Sequence, residues 1–382
     1  MSAPAPTTAP AVPRPSARPA DGSRPTLPRR LGLLLPAALA LLAGLDAALM
    51  LLGLPAPVSA ARLPDVHGML LVLGFVGTLI ALERAVALGR RPGFLAPALL
   101  GAGAVALVTP APVQVGKALL VAGAAGLVAV YVPLWRRQRD DAVLVQALGA
   151  VVAVGAATLW LSGLAVPVLL PWLVGFVVLT IAGERLELAR IAMGPAAGAT
   201  LLALAAALLT AITAALLWPA TAPALGLVML ALVAWLASHD AARHTVKATG
   251  VARFMALGML GGYLWLAVAG AVWLVAGAVS GGAPYDAVVH AAFLGFTMSM
   301  VMAHAPVILP AVLRRPLAYH PALLVPLGLL HASLALRVWV GDAMGHPLAW
   351  QVGGVANIVA LLAFVATAAW SVTRAGHKAA QR

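Results

Sequence analysis

The chain has 382 residues, 63% of them hydrophobic and 9% charged, with a mean hydropathy of +1.02. Globular domains are about 45–50% apolar and about 25% charged, so a soluble fold is excluded and an all-α polytopic membrane protein is predicted. The absence of cysteine excludes disulfides, thiolate-ligated iron–sulfur clusters and haem attachment through a cysteine pair, and the formal charge of +13 reads as membrane topology, with no nucleic-acid partner implied.

Residues 1–30 are rich in Pro, Ala, Ser and Thr with scattered arginines, the composition of a disordered cytoplasmic tail. Apolar runs of about 20 residues, the length that spans a bilayer as a helix, then follow one another. Their limits are 31–54, 64–88, 92–109, 112–135, 141–164, 166–183, 194–217, 222–238, 250–279, 285–310, 319–340 and 347–371, which makes 31–371 one twelve-helix membrane domain and 372–382 a second tail. The third and fourth runs are separated only by the turn Thr109-Pro110-Ala111-Pro112.

With both termini inside, 21 of the 24 lysines and arginines fall in inner loops, tails or helix ends, and only Arg62, Lys117 and Arg337 fall outside. Insertion keeps basic loops on the cytoplasmic side, so a bacterial-type inner membrane with cytoplasmic N- and C-termini is predicted. The first run, between Pro28-Arg29-Arg30 and Ser59-Ala60-Ala61, also reads as a signal peptide cleaved near Ala60. It exceeds the usual apolar core of roughly 7–15 residues, so a retained helix is favoured.

One pattern occurs three times. Gly74-Phe75 is followed by Glu83-Arg84, Gly175-Phe176 by Glu184-Arg185, and Gly295-Phe296 by His304, which stands at the glutamate's spacing. The offsets, 101 residues from Gly74 to Gly175 and 120 from Gly175 to Gly295, each cover four helices. Three four-helix units in series are the expected architecture.

Ionisable groups at intramembrane depth are costly and are functional candidates by default. They form two layers. Near the outer face lie Asp46, His67, His290, His331 and Arg337; near the inner face lie Glu83, Arg84, Glu184, Arg185, Glu187 and His304. His67 and His290 are candidate axial ligands of one haem, since neutral imidazoles on two helices can hold iron between them. Asp65 and Asp286 sit just upstream of them, as second partners to the imidazoles or as helix caps, the second reading being favoured. The plainer alternative for both histidines is a structural hydrogen bond. His331 is a third nitrogen, for a copper site with His67 and His290. Arg337 suits a haem propionate or snorkels to the interface. Asp46, Glu83, Glu184 and His304 form a candidate proton relay, and His290, Thr297 and His304, spaced by seven, would lie along one helix face. The plainer reading of the Glu-Arg pairs is a salt bridge where the helix leaves the membrane. His239, His244, His320, His346 and His377 are expected in solvated loops or tails.

Twelve helices in three units, with histidines near the outer ends of the second and tenth, resemble the catalytic subunit of haem–copper oxidases. The stretches Pro64-Asp65-Val66-His67-Gly68-Met69 and His290 through Gly295-Phe296 to Met300-Val301-Met302 look closer to the NnrS family, twelve-helix haem proteins linked to nitric oxide and nitrosative stress. The resemblance implies one low-spin haem on His67 and His290, and an electron donor as partner. The chain departs from the oxidase pattern in having no histidine in 166–217, where copper ligands are expected, and no His-x-His pair in the tenth helix. The alternatives are a proton-coupled secondary transporter, built from two inverted repeats, and a structural membrane protein without a ligand.

Overall fold

In the computed structural model, residues 27–313 and 319–380 are described. They contain twelve helices long and apolar enough to cross a bilayer, and no β-strand. The spans are α1 (Gly32–Leu51), α2 (Leu63–Leu88), α3 (Arg91–Val108), α4 (Val113–Gln138), α5 (Asp141–Leu161) and α6 (Val166–Met193), then α7 (Ala197–Leu217), α8 (Pro219–His239), α9 (Gly250–Ala276), α10 (Gly282–Pro310), α11 (Pro321–Ala343) and α12 (Pro347–Thr373). The protein is an all-α polytopic membrane protein, as its composition predicts.

Several helices run past their expected ends, among them α4, which reaches Gln138, and α12, which stays helical to Ala380. Helix α6 continues from 183 to Met193 before Gly194 stops it at a φ of 86°. Hydropathy ends the run early because Glu184, Arg185 and Glu187 look like an exit from the membrane. In the bundle Arg185 and Glu187 are paired, so the helix carries on past them, kinked at Ala189 (φ −113°, ψ 18°). Helix α11 likewise extends past 340 and carries Asp342 inside the helix.

Burial peaks at intervals of four helices. The most enclosed spans are α2, α6 and α10, with 78%, 72% and 61% of each buried, against 28–56% for the other nine. These are the three helices that carry the repeated Gly-Phe pattern, and the three helices between each and the next make them parallel. Each glycine allows a close approach within its own unit. A Cβ on Gly74 would stand 2.9 Å from Ala104 of α3 and 3.3 Å from Ala40 of α1. One on Gly175 would meet Ile212 of α7 and Val152 of α5, and one on Gly295 would meet Trp265 of α9. Small residues bring apolar helices close because packing replaces the missing hydrophobic drive between them.

The three basic residues on the sparsely charged end all have structural partners. Arg62 donates to Thr109 O at 2.6 Å and Ala111 O at 2.8 Å, which pins the α3–α4 turn. Lys117 donates to Trp160 O at 2.8 Å and sits over the Trp160 ring. Arg337 is bound to Asp286. Fixed cations of this kind satisfy backbone or carboxylate groups that hydrocarbon cannot.

Three stretches are wound as π-helix: Leu70–Gly77 in α2, Ala291–Met298 in α10 and Leu336–Ala343 in α11. Such wide turns are rare and concentrate at functional sites. Helix α6, the third central helix, has none.

Helix packing can be tested at the closest backbone approach. A Cβ on Gly226 of α8 would lie 2.5 Å from Gly270 O and 2.8 Å from Leu274 Cα of α9. Gly226→Val is expected to destabilise by about 1–3 kcal/mol, read as a lower melting temperature in detergent. Gly328→Ala, with nothing within 4 Å, is expected to leave it unchanged or raise it.

Candidate functional site

His67 lies in the first turns of α2, three residues before that helix widens at Leu70. Its Nδ1 lies 2.8 Å from the carbonyl of Gly44 on α1. A carbonyl only accepts, so Nδ1 carries the hydrogen and Nε2 keeps a free lone pair. His290 stands in the same situation at the start of the π-turns of α10, with Nδ1 2.8 Å from the Asp286 carbonyl and 3.3 Å from its carboxylate. Both imidazoles therefore expose Nε2 while their rings are fixed through Nδ1, the arrangement of metal-ligating histidines generally. His67 lies within electrostatic range of both His290 and Arg337. The pair expected from distant parts of the chain is brought to one end of the bundle.

The acids beside the two histidines differ. Asp65 is exposed in the first turn of α2, where a carboxylate suits the helix N-terminus. Asp286 is no cap, contrary to the favoured expectation. It accepts two hydrogen bonds from Arg337, at 2.8 and 2.7 Å, and one from Trp350 Nε1 at 3.2 Å, besides holding His290. Arg337 neither snorkels nor offers an open fork to a propionate. Its Nε and Nη2 are taken by Asp286 and its plane lies over Trp350. It orients the acid that orients His290. Asp342 stands beside Asp286 and Arg337 with Oδ2 buried and unpartnered.

His331 does not join the pair. Its Nδ1 accepts from Trp265 Nε1 at 2.9 Å, so Nε2 carries the hydrogen and faces Ser299 at 3.5 Å. The three-nitrogen copper arrangement is not formed, and among the described residues no group of three His, Cys, Asp or Glu side chains could hold a metal ion. Asp46 meets neither histidine nor arginine: it accepts from the Val58 backbone N–H at 3.0 Å and ties down the α1–α2 loop.

At the basic end the expected Glu83–Arg84 salt bridge forms within a larger cluster, and a second cluster replaces the expected Glu184–Arg185 pair. Arg84 binds Glu83, Glu187 at 3.2 Å and Gln146 at 3.1 Å, which links α2, α5 and α6. Arg185 ignores Glu184 and binds Asp240 through two hydrogen bonds, at 2.7 and 2.9 Å. Tyr263 donates to the same carboxylate at 2.7 Å. Arg185 also donates to His304 Nε2 at 3.1 Å, while His304 Nδ1 donates to Met300 O at 2.8 Å. Both nitrogens of His304 are thus occupied.

Glu83, Glu184 and His304, equivalent in the three units, line one cavity of about 360 Å³ enclosed by α1, α2, α6, α10 and α12. Its remaining walls are almost wholly apolar, with Phe75, Met298 and Phe364 among them. Of the expected relay the structure brings these three together and leaves Asp46 elsewhere. Of the expected face of His290, Thr297 and His304, the last two line this cavity and His290 does not, the π-turns between 291 and 298 changing the angular spacing. Thr297 bonds back to Ala292 O at 2.9 Å, an i−5 contact of that wider turn. His239, His244, His320 and His346 are exposed as expected; the side chain of His377 lies outside the description.

The residues missed from the sequence are Asp240, Tyr263, Gln146, Trp350 and Asp342. Asp240 lies in a loop whose neighbours read as solvated, yet it is fully buried. The available signal was a surplus of buried arginine: Arg185 needs a carboxylate, and its neighbour Glu184 points elsewhere.

Burial alone would push the Asp240 carboxyl up, but the hydrogen bonds and charge of Arg185 outweigh it and hold the group below its ordinary value of 3.8. A depressed carboxylate contributes its stability at neutral pH and loses it as the pH falls below that range. Asp240→Asn, which leaves a buried guanidinium unpaired, is expected to cost about 3–5 kcal/mol. In melts from neutral to acid pH, the gap between parent and variant should close as the pH drops.

No curated protein and no solved structure matches this chain. A family model described as "Domain of unknown function (DUF8744)" matches residues 30–373, all twelve spans included. The chain belongs to that family.

Proposed function

We propose that this protein is an integral membrane haem-binding protein, related in plan to the NnrS and haem–copper oxidase class, with His67 and His290 as the axial ligands of one low-spin haem. The single observation that carries the reading is the matched state of the two imidazoles: each has Nδ1 bound to a backbone carbonyl and Nε2 free, and each precedes a π-wound segment, His290 directly and His67 by three residues. Gly44 and Asp286 hold the rings, and Arg337 and Trp350 hold Asp286. Bound there, a haem would supply one-electron transfer, in a nitrogen-oxide response or in passing electrons from a donor. The chain's own contribution is to fix ligand orientation and tautomer, and to exclude water with apolar helices. The basic loops face the cytoplasm of a bacterial-type inner membrane in this reading.

A second reading, a proton-coupled transporter, is supported by the meeting of Glu83, Glu184 and His304 in one cavity. Three parallel central helices speak for the oxidase-like plan and against two inverted repeats.

An absorption spectrum of the purified protein tests the first reading. Sharp reduced bands of a six-coordinate haem are expected, lost in His67→Ala and in His290→Ala and kept in His331→Ala. A colourless preparation that takes no added haemin, and accumulates a solute along a proton gradient, would reverse the preference. Orientation is checked in this cysteine-free chain with single-cysteine variants. An impermeant maleimide should label exposed Ser59→Cys on intact cells, and exposed Gln138→Cys only after permeabilisation.

A further inference from the structure

The cavity of about 360 Å³ is apolar on every side but one, and that side has a sign. Among the described residues its ionisable lining groups are Glu83, Glu184 and His304, and no lysine or arginine lines it. Glu83 keeps 20% of its side chain accessible, with Oε1 held by Arg84. His304 accepts from Arg185 and donates to Met300 O, so its imidazole is neutral. The cations behind this wall are engaged. Arg185 is bound to Asp240, and Arg84 stands alone among Glu83, Glu184 and Glu187, one guanidinium to three carboxyl groups. Glu184 Oε1, Arg84 Nε and Tyr131 Oη are shielded atoms of that cluster, an acceptor beside two donors, and none of the three meets the cavity.

An occupant must suit both kinds of wall. Ala38 on α1 and Val365 and Ala369 on α12 line the cavity and are also exposed, so it is open on the side where these two helices meet the lipid. A small ion would gain nothing from the apolar walls. A neutral hydrocarbon would leave the Glu83 carboxylate against an apolar body, and an anion would meet like charge. A positive charge on an apolar body answers both, and Phe75 and Phe364 offer ring faces that attract cations. Met298 and Met300 add walls that adapt to an occupant's shape.

We propose that this cavity binds a lipophilic organic monocation, which enters from the lipid between α1 and α12, sets its charge against Glu83 and packs its apolar body on the aromatic and thioether walls. The site lies inward of the histidine pair along α2 and α10 and does not depend on haem binding. It gives the transporter reading a substrate class, while binding itself requires no transport.

The test uses the purified full chain in lipid nanodiscs, with tritiated tetraphenylphosphonium as probe and empty discs to subtract partition into lipid. Saturable binding is expected, displaced by unlabelled phosphonium at concentrations lower than those of neutral triphenylphosphine oxide by about tenfold or more. Tetraphenylborate, of the same shape and opposite charge, should displace no better than the oxide. Glu83→Gln should remove the preference for the cation and Glu83→Asp should keep it. Ala38→Trp, an exposed position at the opening and away from the charge cluster, should weaken binding of every probe, so the proposal stays testable even where Glu83→Gln does not fold. It is overturned if no binding exceeds that of empty discs, if the oxide or the borate competes as well as the phosphonium, if folded Glu83→Gln keeps the preference, or if Ala38→Trp binds like the parent. The discs hold no ion gradient and the assay needs no haem, so failure here is distinct from absence of uptake and from absence of haem bands.

Discussion

Polar groups buried in a hydrocarbon slab must satisfy one another, and this constraint shapes the whole bundle. The protein meets it by gathering its charges at the two ends. At one end Arg337, Asp286 and Trp350 close around His290. At the other, Arg84 and Arg185 each draw in acids from other helices. Between the two layers the central helices are apolar, and glycines let them approach closely. The buried arginines therefore act as cross-links between helices that lipid-like surfaces would otherwise hold only by packing.

Three parallel, similarly placed helices have a chemical consequence. Positions equivalent by sequence converge near one axis, so Glu83, Glu184 and His304 meet at a single cavity although they lie far apart in the chain. The units have then diverged. In the first, the glutamate pairs with the arginine next to it; in the second, that arginine is drawn to Asp240, leaving the glutamate free; in the third, a histidine accepts from the arginine of the second. The π-turns follow the same divergence, present in α2 and α10 and absent from α6. Helices α2 and α10 carry the candidate ligands; α6 carries none.

The tautomers of the two histidines connect structure to function most directly. A histidine that serves only as a bridge between helices usually has both nitrogens engaged, as His331 and His304 do. His67 and His290 each have one engaged by a carbonyl and one free. That contrast within one chain separates structural imidazoles from ligand candidates without reference to any other protein.

From its sequence alone the chain determined its class and its twelve spans. Hydrophobic length and the spacing of Gly-Phe from an ionisable residue are local properties that survive without knowledge of contacts. That His67 and His290 stand near the same end of the bundle was legible too, from their places in the second and tenth apolar runs. Partner choice was not legible. Arg185 reads as the mate of Glu184, yet binds Asp240, fifty-five positions away; Asp286 reads as a cap, yet holds Arg337. The end of α6 was misplaced for the same reason, because a charge stops a helix only if it stays unpaired. Pairing energies depend on distances across helices that only the tertiary structure fixes, and in hydrocarbon those energies outweigh every local preference.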